Sequence, residues 1–296
     1  MSPTHPMLSM GVPAQGRDER HDECERERHG GNTSCLVEIQ VSGSRPPLFW
    51  AHGISGGTSN YRPVARLLAT RRDVYGLENR TTTPPTRLAE SARRYAAAIN
   101  ECRPDGPCEI FGYSLGGLVA LETARQLTMA GREVALVGIL DTAPPTVPVA
   151  PENTSVALSL VSRGLGLEPP FDPATVGTES ELIAMLSARA IEARILPASL
   201  AIDYVGAMVR TYMGNGQAAD RYRPSAYHGP TAILFTRDGD AVRHRDLWHR
   251  FAPGISRTDV LDLDHFSLIG AVAAPAVHAV IDAWLTDNLH SPPGLS

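Results

Sequence analysis

Short apolar runs alternate with longer amphipathic stretches along this chain. Residues 35–41 alternate polar and apolar side chains with period two, as a half-buried strand does. Pro47-Leu48-Phe49-Trp50-Ala51 is a continuous apolar run and reads as a buried strand. Residues 61–68 read as a helix and 73–77 as a short strand. Leu88, Ala92, Tyr95, Ala96 and Ile99 then recur at helical spacing. Cys108-Glu109-Ile110-Phe111 is the next apolar run, and 118–127 the next helix, with Gly131 as its stop. Residues 133–140 form a further apolar strand that ends at Asp141. Strands alternating with helices predict an α/β class fold, a mostly parallel sheet with helices on both faces.

The alternation breaks after Pro144. Residues 145–227 hold helical stretches near 156–163, 180–191 and 200–212, joined by Pro-rich connectors, and no convincing strand. An insertion of this length between two strands predicts a helical lid. The pattern resumes with a strand over 231–235, a helix near 244–251 and a strand over 258–263. A closing helix over 271–289 carries Ala274, Val277, Ile281, Trp284 and Leu285 on one stripe. Residues 35–290 are thus expected to form one domain. Residues 1–34 are rich in Pro, Gly, Arg, Glu and His and read as a disordered tail, with 291–296 as a short C-terminal tail.

Composition narrows the function classes. With 27 basic against 32 acidic residues, the charge of −5 argues against a nucleic-acid partner. No apolar run approaches the ~18 residues a transmembrane helix needs, so no membrane role is expected. Residues 1–31 lack an apolar signal segment, and Cys24, Cys35, Cys102 and Cys108 have no disulfide or zinc spacing. A reduced, cytoplasmic setting is the expectation. His21, Cys24, His29 and Cys35 fit no standard metal pattern, so no metal and no cofactor of the protein's own is expected.

The candidate chemistry sits at Gly112-Tyr113-Ser114-Leu115-Gly116. A strand, G-x-S-x-G and a helix in that order form the nucleophile elbow of an α/β-hydrolase fold. A serine hydroxyl attacks poorly unless a base takes its proton. On this fold the base is a histidine after the last strand, which selects His265. The acid that orients it is Asp141, after the strand following the elbow helix, or Asp238 or Asp240, after the next strand. Asp264 adjoins the base and is expected to be structural. Backbone N–H groups of Leu115 and Ile54 are the candidate oxyanion donors. Met208, Tyr212 and Met213 in the lid, with Tyr113, are candidates to line a substrate pocket, and Arg62, Arg66, Arg71 and Arg72 to form a basic entrance.

Four stretches resemble the thioesterase domains of nonribosomal peptide and polyketide synthases. They are Phe49-Trp50-Ala51-His52-Gly53 continuing to Tyr61-Arg62-Pro63-Val64-Ala65, then Val74-Tyr75-Gly76-Leu77, then residues 110–145, and finally residues 229–235 with Asp264-His265-Phe266-Ser267. The resemblance covers roughly residues 40–285 and is weakest in the lid. It implies Asp141 as the acid. It also implies an acyl or peptidyl carrier protein as partner, delivering a chain as a phosphopantetheine thioester to Ser114 for hydrolysis or cyclisation. His52-Gly53 departs from the His-Pro often found in that family. No carrier domain is read before the hydrolase core, which points to a discrete enzyme or a separated terminal domain. A general carboxylesterase or amidase of the same fold, and a non-catalytic carrier-binding protein, are the competing readings.

Overall fold

The structure is a computed structural model that describes residues 35–41, 45–68, 72–79, 87–147, 154–167, 177–237 and 241–288. Both expected tails lie outside the described residues, as do His21, Cys24, His29, Arg71, Asp238 and Asp240.

The strands are β1 (Leu36–Gln40), β2 (Arg45–Ala51), β3 (Arg72–Leu77), β4 (Cys108–Tyr113), β5 (Val134–Leu140), β6 (Thr231–Thr236) and β7 (Ile255–Leu261). They form a seven-stranded sheet in the order β1-β3-β2-β4-β5-β6-β7. Only edge strand β1 is antiparallel to its neighbour; the other pairings are parallel. Every residue of β3, β4 and β6 is buried, because helices cover both faces of a parallel sheet. The C-terminal ends of β2, β4, β5 and β6 therefore share one edge, and the loops leaving them converge there.

The helices are α1 (Arg62–Leu68), α2 (Leu88–Cys102), α3 (Leu115–Met129), α4 (Thr154–Leu165), α5 (Glu179–Glu192), α6 (Ala198–Asp220), α7 (Ala241–Trp248) and α8 (Ala274–Asn288). α2 buries Leu88, Ala92, Tyr95 and Ile99 of the stripe read from spacing, and Ala96 is half-buried. On one face of the sheet, Trp50 stacks on Tyr61 at 4.8 Å between centroids and meets Phe111 edge-on at 6.1 Å. Each such aromatic pair adds about 0.5–1.5 kcal/mol beyond the area it buries. Val277, Ile281, Trp284 and Leu285 of α8 complete this cluster.

Between β5 and β6 the described residues hold helices α4, α5 and α6. They build a small core of their own from Leu158, Val161, Leu182, Leu186, Val205 and Val209. A capping box between Thr178 and Glu181 starts α5.

One sequence expectation fails here. Arg72 cannot belong to a basic entrance. It opens β3, so it lies at the N-terminal edge of the sheet, opposite the converging loops. It is 3% exposed and ion-paired with Glu109 of β4. A guanidinium in a strand covered on both faces needs that carboxylate, and the pair is spent on the core. Arg62 and Arg66 are exposed on α1.

Candidate active site

The elbow is set by backbone geometry. β4 ends at Tyr113 and α3 begins at Leu115, so Ser114 alone turns the chain from strand to helix. It does so at φ 56° and ψ −131°. Residues with side chains rarely adopt such a conformation, which costs on the order of 1–3 kcal/mol. The turn closes only because Gly112 and Gly116 lack side chains. A Cβ on Gly112 would overlap the Gly116 carbonyl, and one on Gly116 would lie 2.7 Å from the Ala51 carbonyl oxygen. Three hydrogen bonds hold the strained serine. Its N–H donates to the Leu140 carbonyl at 2.9 Å, and its own carbonyl accepts from Gly117 N–H at 3.1 Å and Thr142 Oγ1 at 2.6 Å.

Ser114, His265 and Asp141 meet at this edge. His265 Nε2 lies 3.1 Å from Ser114 Oγ, and Nδ1 lies 2.5 Å from Asp141 Oδ2. Asp141 stands one residue past β5 at φ 46°. Its other oxygen accepts from Thr236 N–H at 3.0 Å. Burial works to raise the Asp141 carboxyl pKa, but hydrogen bonds from His265 and Thr236 outweigh it and hold the group below its ordinary 3.8. A carboxylate can only accept, so Nδ1 carries the imidazole proton and Nε2 turns its lone pair to Ser114. Asp264 instead accepts from the Phe266 and Ser267 amides at 3.0 Å each and builds the turn after β7.

The two candidate oxyanion amides are open. Neither Ile54 N–H nor Leu115 N–H donates to a backbone carbonyl among the described residues. The peptide unit carrying the Ile54 amide is fixed at its other end. Gly53 O accepts from Gly56 N–H at 3.1 Å and from His52 Nδ1 at 2.6 Å. A peptide is planar and trans, so holding its oxygen aims its N–H. His52 is 1% exposed, and burial pushes its pKa down to about 4, so the ring is neutral and donates from Nδ1. Sequence reading placed His52 in this loop without giving it the task. Thr142, next to Asp141, was also missed; its hydroxyl gives the strained Ser114 carbonyl a second donor beside Gly117 N–H.

A cavity of about 530 Å³ opens onto Ser114 and His265, lined also by Ile54, Tyr113, Arg163, Tyr212 and Phe266. Tyr113 and Tyr212 therefore sit where a substrate would. Met208 and Met213 do not line it; they pack against the lid's own core. The Arg163 guanidinium of α4 stands 4.0 Å over the Phe266 ring, joining the lid to the residue after His265. Among the described residues no His, Cys, Asp and Glu group is arranged to hold a metal ion. No helix among them is long and apolar enough to cross a membrane.

Comparison with known proteins gives the family. The thioesterase domain family model matches residues 46–285. An atromentin synthetase of Paxillus involutus is 30% identical over 192 residues, which is 59% of this chain and 20% of that protein. A nonribosomal peptide synthetase of Aspergillus terreus is 30% identical over 276 residues, 86% of this chain and 30% of that protein. The chain thus spans less than a third of the length of these curated relatives. Among solved structures, the NocB thioesterase domain in covalent complex with a fluorophosphonate nocardicin G analogue is 25% identical, with a TM-score of 0.64, covering 84% of this chain and 99% of that one. The seven-stranded sheet with its flanking helices is the α/β-hydrolase fold, and the chain belongs to the thioesterase domain family.

Proposed function

We propose that this thioesterase is a serine enzyme that accepts an acyl, polyketide or peptidyl chain from the phosphopantetheine thioester of a carrier protein. The observation that carries the reading is the hydrogen-bonded series Asp141–His265–Ser114 opening onto the cavity. His265 Nε2 takes the Ser114 proton as Oγ attacks the thioester carbonyl. The tetrahedral oxyanion is met by the Ile54 and Leu115 amides, each worth about 3 kcal/mol in known sites of this kind. The C–S bond then breaks, and the leaving thiolate takes the proton back from His265. Charged Asp141 stabilises the imidazolium between these steps. Water, or a hydroxyl or amine within the chain, next attacks the acyl-Ser114 ester and releases the product by hydrolysis or cyclisation.

The relatives' identity as synthetases supports a place in secondary-metabolite biosynthesis, with a carrier protein as partner. The decisive experiment is to incubate the chain with an acyl-pantetheine thioester and weigh the intact protein. An acyl adduct on the wild type, absent from Ser114→Ala, is expected. No adduct, or equal turnover by Ser114→Ala, would discard the serine mechanism. Faster turnover of a matched oxygen ester would favour a general carboxylesterase.

A further inference from the structure

The lid helix α6 grips the loop that carries the Ile54 amide. Asn215 of α6, 4% exposed, donates through Nδ2 to the Ile54 carbonyl oxygen at 2.9 Å. Its Oδ1 accepts from Asn79 Nδ2 at 3.4 Å, and Asn79 N–H donates to the Gly56 carbonyl at 2.8 Å. Arg94 of α2 in turn donates to Asn79 Oδ1 at 3.4 Å. Helix and loop approach so closely that a Cβ on Gly56 would fall 2.9 Å from Thr211 Cγ2. Gly56 itself adopts φ 79°, where glycine has no penalty.

Ile54 stands between two peptide planes. His52 and Gly56 fix the plane before it, which carries its N–H. Asn215 fixes the plane after it, which carries its carbonyl. With both planes held, φ and ψ of Ile54 are held, and the amide keeps one direction. Without Asn215 the carbonyl loses the donor that fixes its direction, and the plane is free to turn toward another donor.

We propose that Asn215 is a positioning residue that aims the Ile54 amide, so that the oxyanion hole is complete only while α6 is seated. The inference rests on the serine mechanism proposed above. It makes the lid more than a cover. A displacement of α6 that breaks the Asn215–Ile54 hydrogen bond also frees the oxyanion donor, so an open-lid enzyme binds without turning over.

The test uses the full chain and a fluorophosphonate probe. Ser114 Oγ forms a bond to phosphorus, fluoride leaves, and the serine proton passes to His265. Intact mass against time gives the labelling rate. Removing an oxyanion donor outright costs about 10²–10³-fold, so loosening one by Asn215→Ala should slow labelling about 10–30-fold. The KM for an acyl N-acetylcysteamine thioester should stay within about two-fold while kcat falls with the labelling rate. Gly56→Ala, which pushes the loop off α6 from the other side, should slow labelling in the same way. Thr211→Ala keeps the hydrogen bond and should label at the wild-type rate. Wild type that never labels overturns the serine mechanism and this inference together. Wild type that labels, with Asn215→Ala and Gly56→Ala keeping pace, overturns only the role of Asn215. Equal slowing in Thr211→Ala overturns it too, since packing alone would then account for the effect. If Asn215→Ala does not fold, Asn215→Leu, of similar size but without the donor, against Thr211→Ala decides.

Discussion

Tyr113 Oη donates a 2.7 Å hydrogen bond to the backbone carbonyl of His265, and its ring stacks on the imidazole at 4.8 Å between centroids. The residue before the nucleophile thus braces the residue that would serve as its base. Neither contact moves a proton in the reaction, so both act by position. Tyr113→Phe keeps the ring and deletes the hydroxyl. A neutral hydrogen bond of this kind is worth about 1 kcal/mol, which corresponds to roughly five-fold in kcat. A Tyr113→Phe enzyme with wild-type kcat on an acyl thioester would show that stacking alone holds the loop.

Asp141 links activity to acid stability. Its carboxyl is held below the ordinary 3.8 because the folded chain hydrogen-bonds the charged form. A depressed folded pKa stabilises the protein above the unfolded pKa, and that stabilisation is lost as pH falls through the folded value. Wild type should therefore lose stability relative to Asp141→Asn below about pH 4 and exceed it at neutral pH. Asn tolerates the φ of 46° as Asp does, but its amide accepts through one oxygen only, so the substitution removes the charge together with one accepted hydrogen bond. The same substitution in known triads leaves the imidazole in the wrong tautomer and costs about 10⁴-fold in kcat, and a loss of this order is expected here at neutral pH. Thermal melts of both proteins between pH 3 and 7, beside kcat at pH 7, check the two halves separately.

Much of the site was legible in the sequence because local constraints write themselves into local residues. The elbow needs glycines at fixed offsets from Ser114, and the two flanking glycines are the ones whose side chains would collide with backbone. His265 is legible because it follows a strand whose apolar run is plain; placement alone leaves Asp141 level with Asp238 and Asp240, and the resemblance to thioesterase domains selects it. What could not be read depends on chain distant in sequence. Asn215 meets Ile54 across 161 residues, and no pattern in a helix that is buried along one side distinguishes it. Met208 and Met213 are a related case. Apolar lid positions serve either the cavity or the lid's own core, and periodicity does not say which. Arg72 is the same case with charge, a cation in a covered strand whose partner lies on a strand 37 residues away.

Gly112 should be among the least replaceable residues of the chain. A Cβ there overlaps the Gly116 carbonyl, and both partners are backbone, held by β4 and by the start of α3. No side-chain rotation relieves the collision, so Gly112→Ala should cost about 3 kcal/mol or more. Gly177→Ala offers a fair comparison. Its φ is unstrained, and the nearest atom, Glu181 Oε2, would lie 3.4 Å away. It should be nearly neutral. Denaturant midpoints of the two variants against wild type measure the contrast, and a mild Gly112→Ala would mean the elbow can be rebuilt.

The Arg72–Glu109 pair makes a prediction about stability with no counterpart in activity. Both side chains are 3–4% exposed, so each charge has given up water for the other. Removing one partner strands the other, a loss of about 3–5 kcal/mol for buried pairs of this kind. Glu109→Leu and Arg72→Leu should each lower stability on that scale. Replacing both by leucine removes the two desolvated charges together and should be less harmful than either single change. Because the pair lies at the sheet edge opposite Ser114, kcat per folded molecule should stay at the wild-type level in all three variants. A double-mutant cycle from urea melts gives the coupling, and active-site titration gives the folded fraction. Additive losses would show that the two charges are already screened by other groups. A fall in kcat that outlasts the correction would mean that strain at this end of β3 and β4 travels along the strands to the elbow.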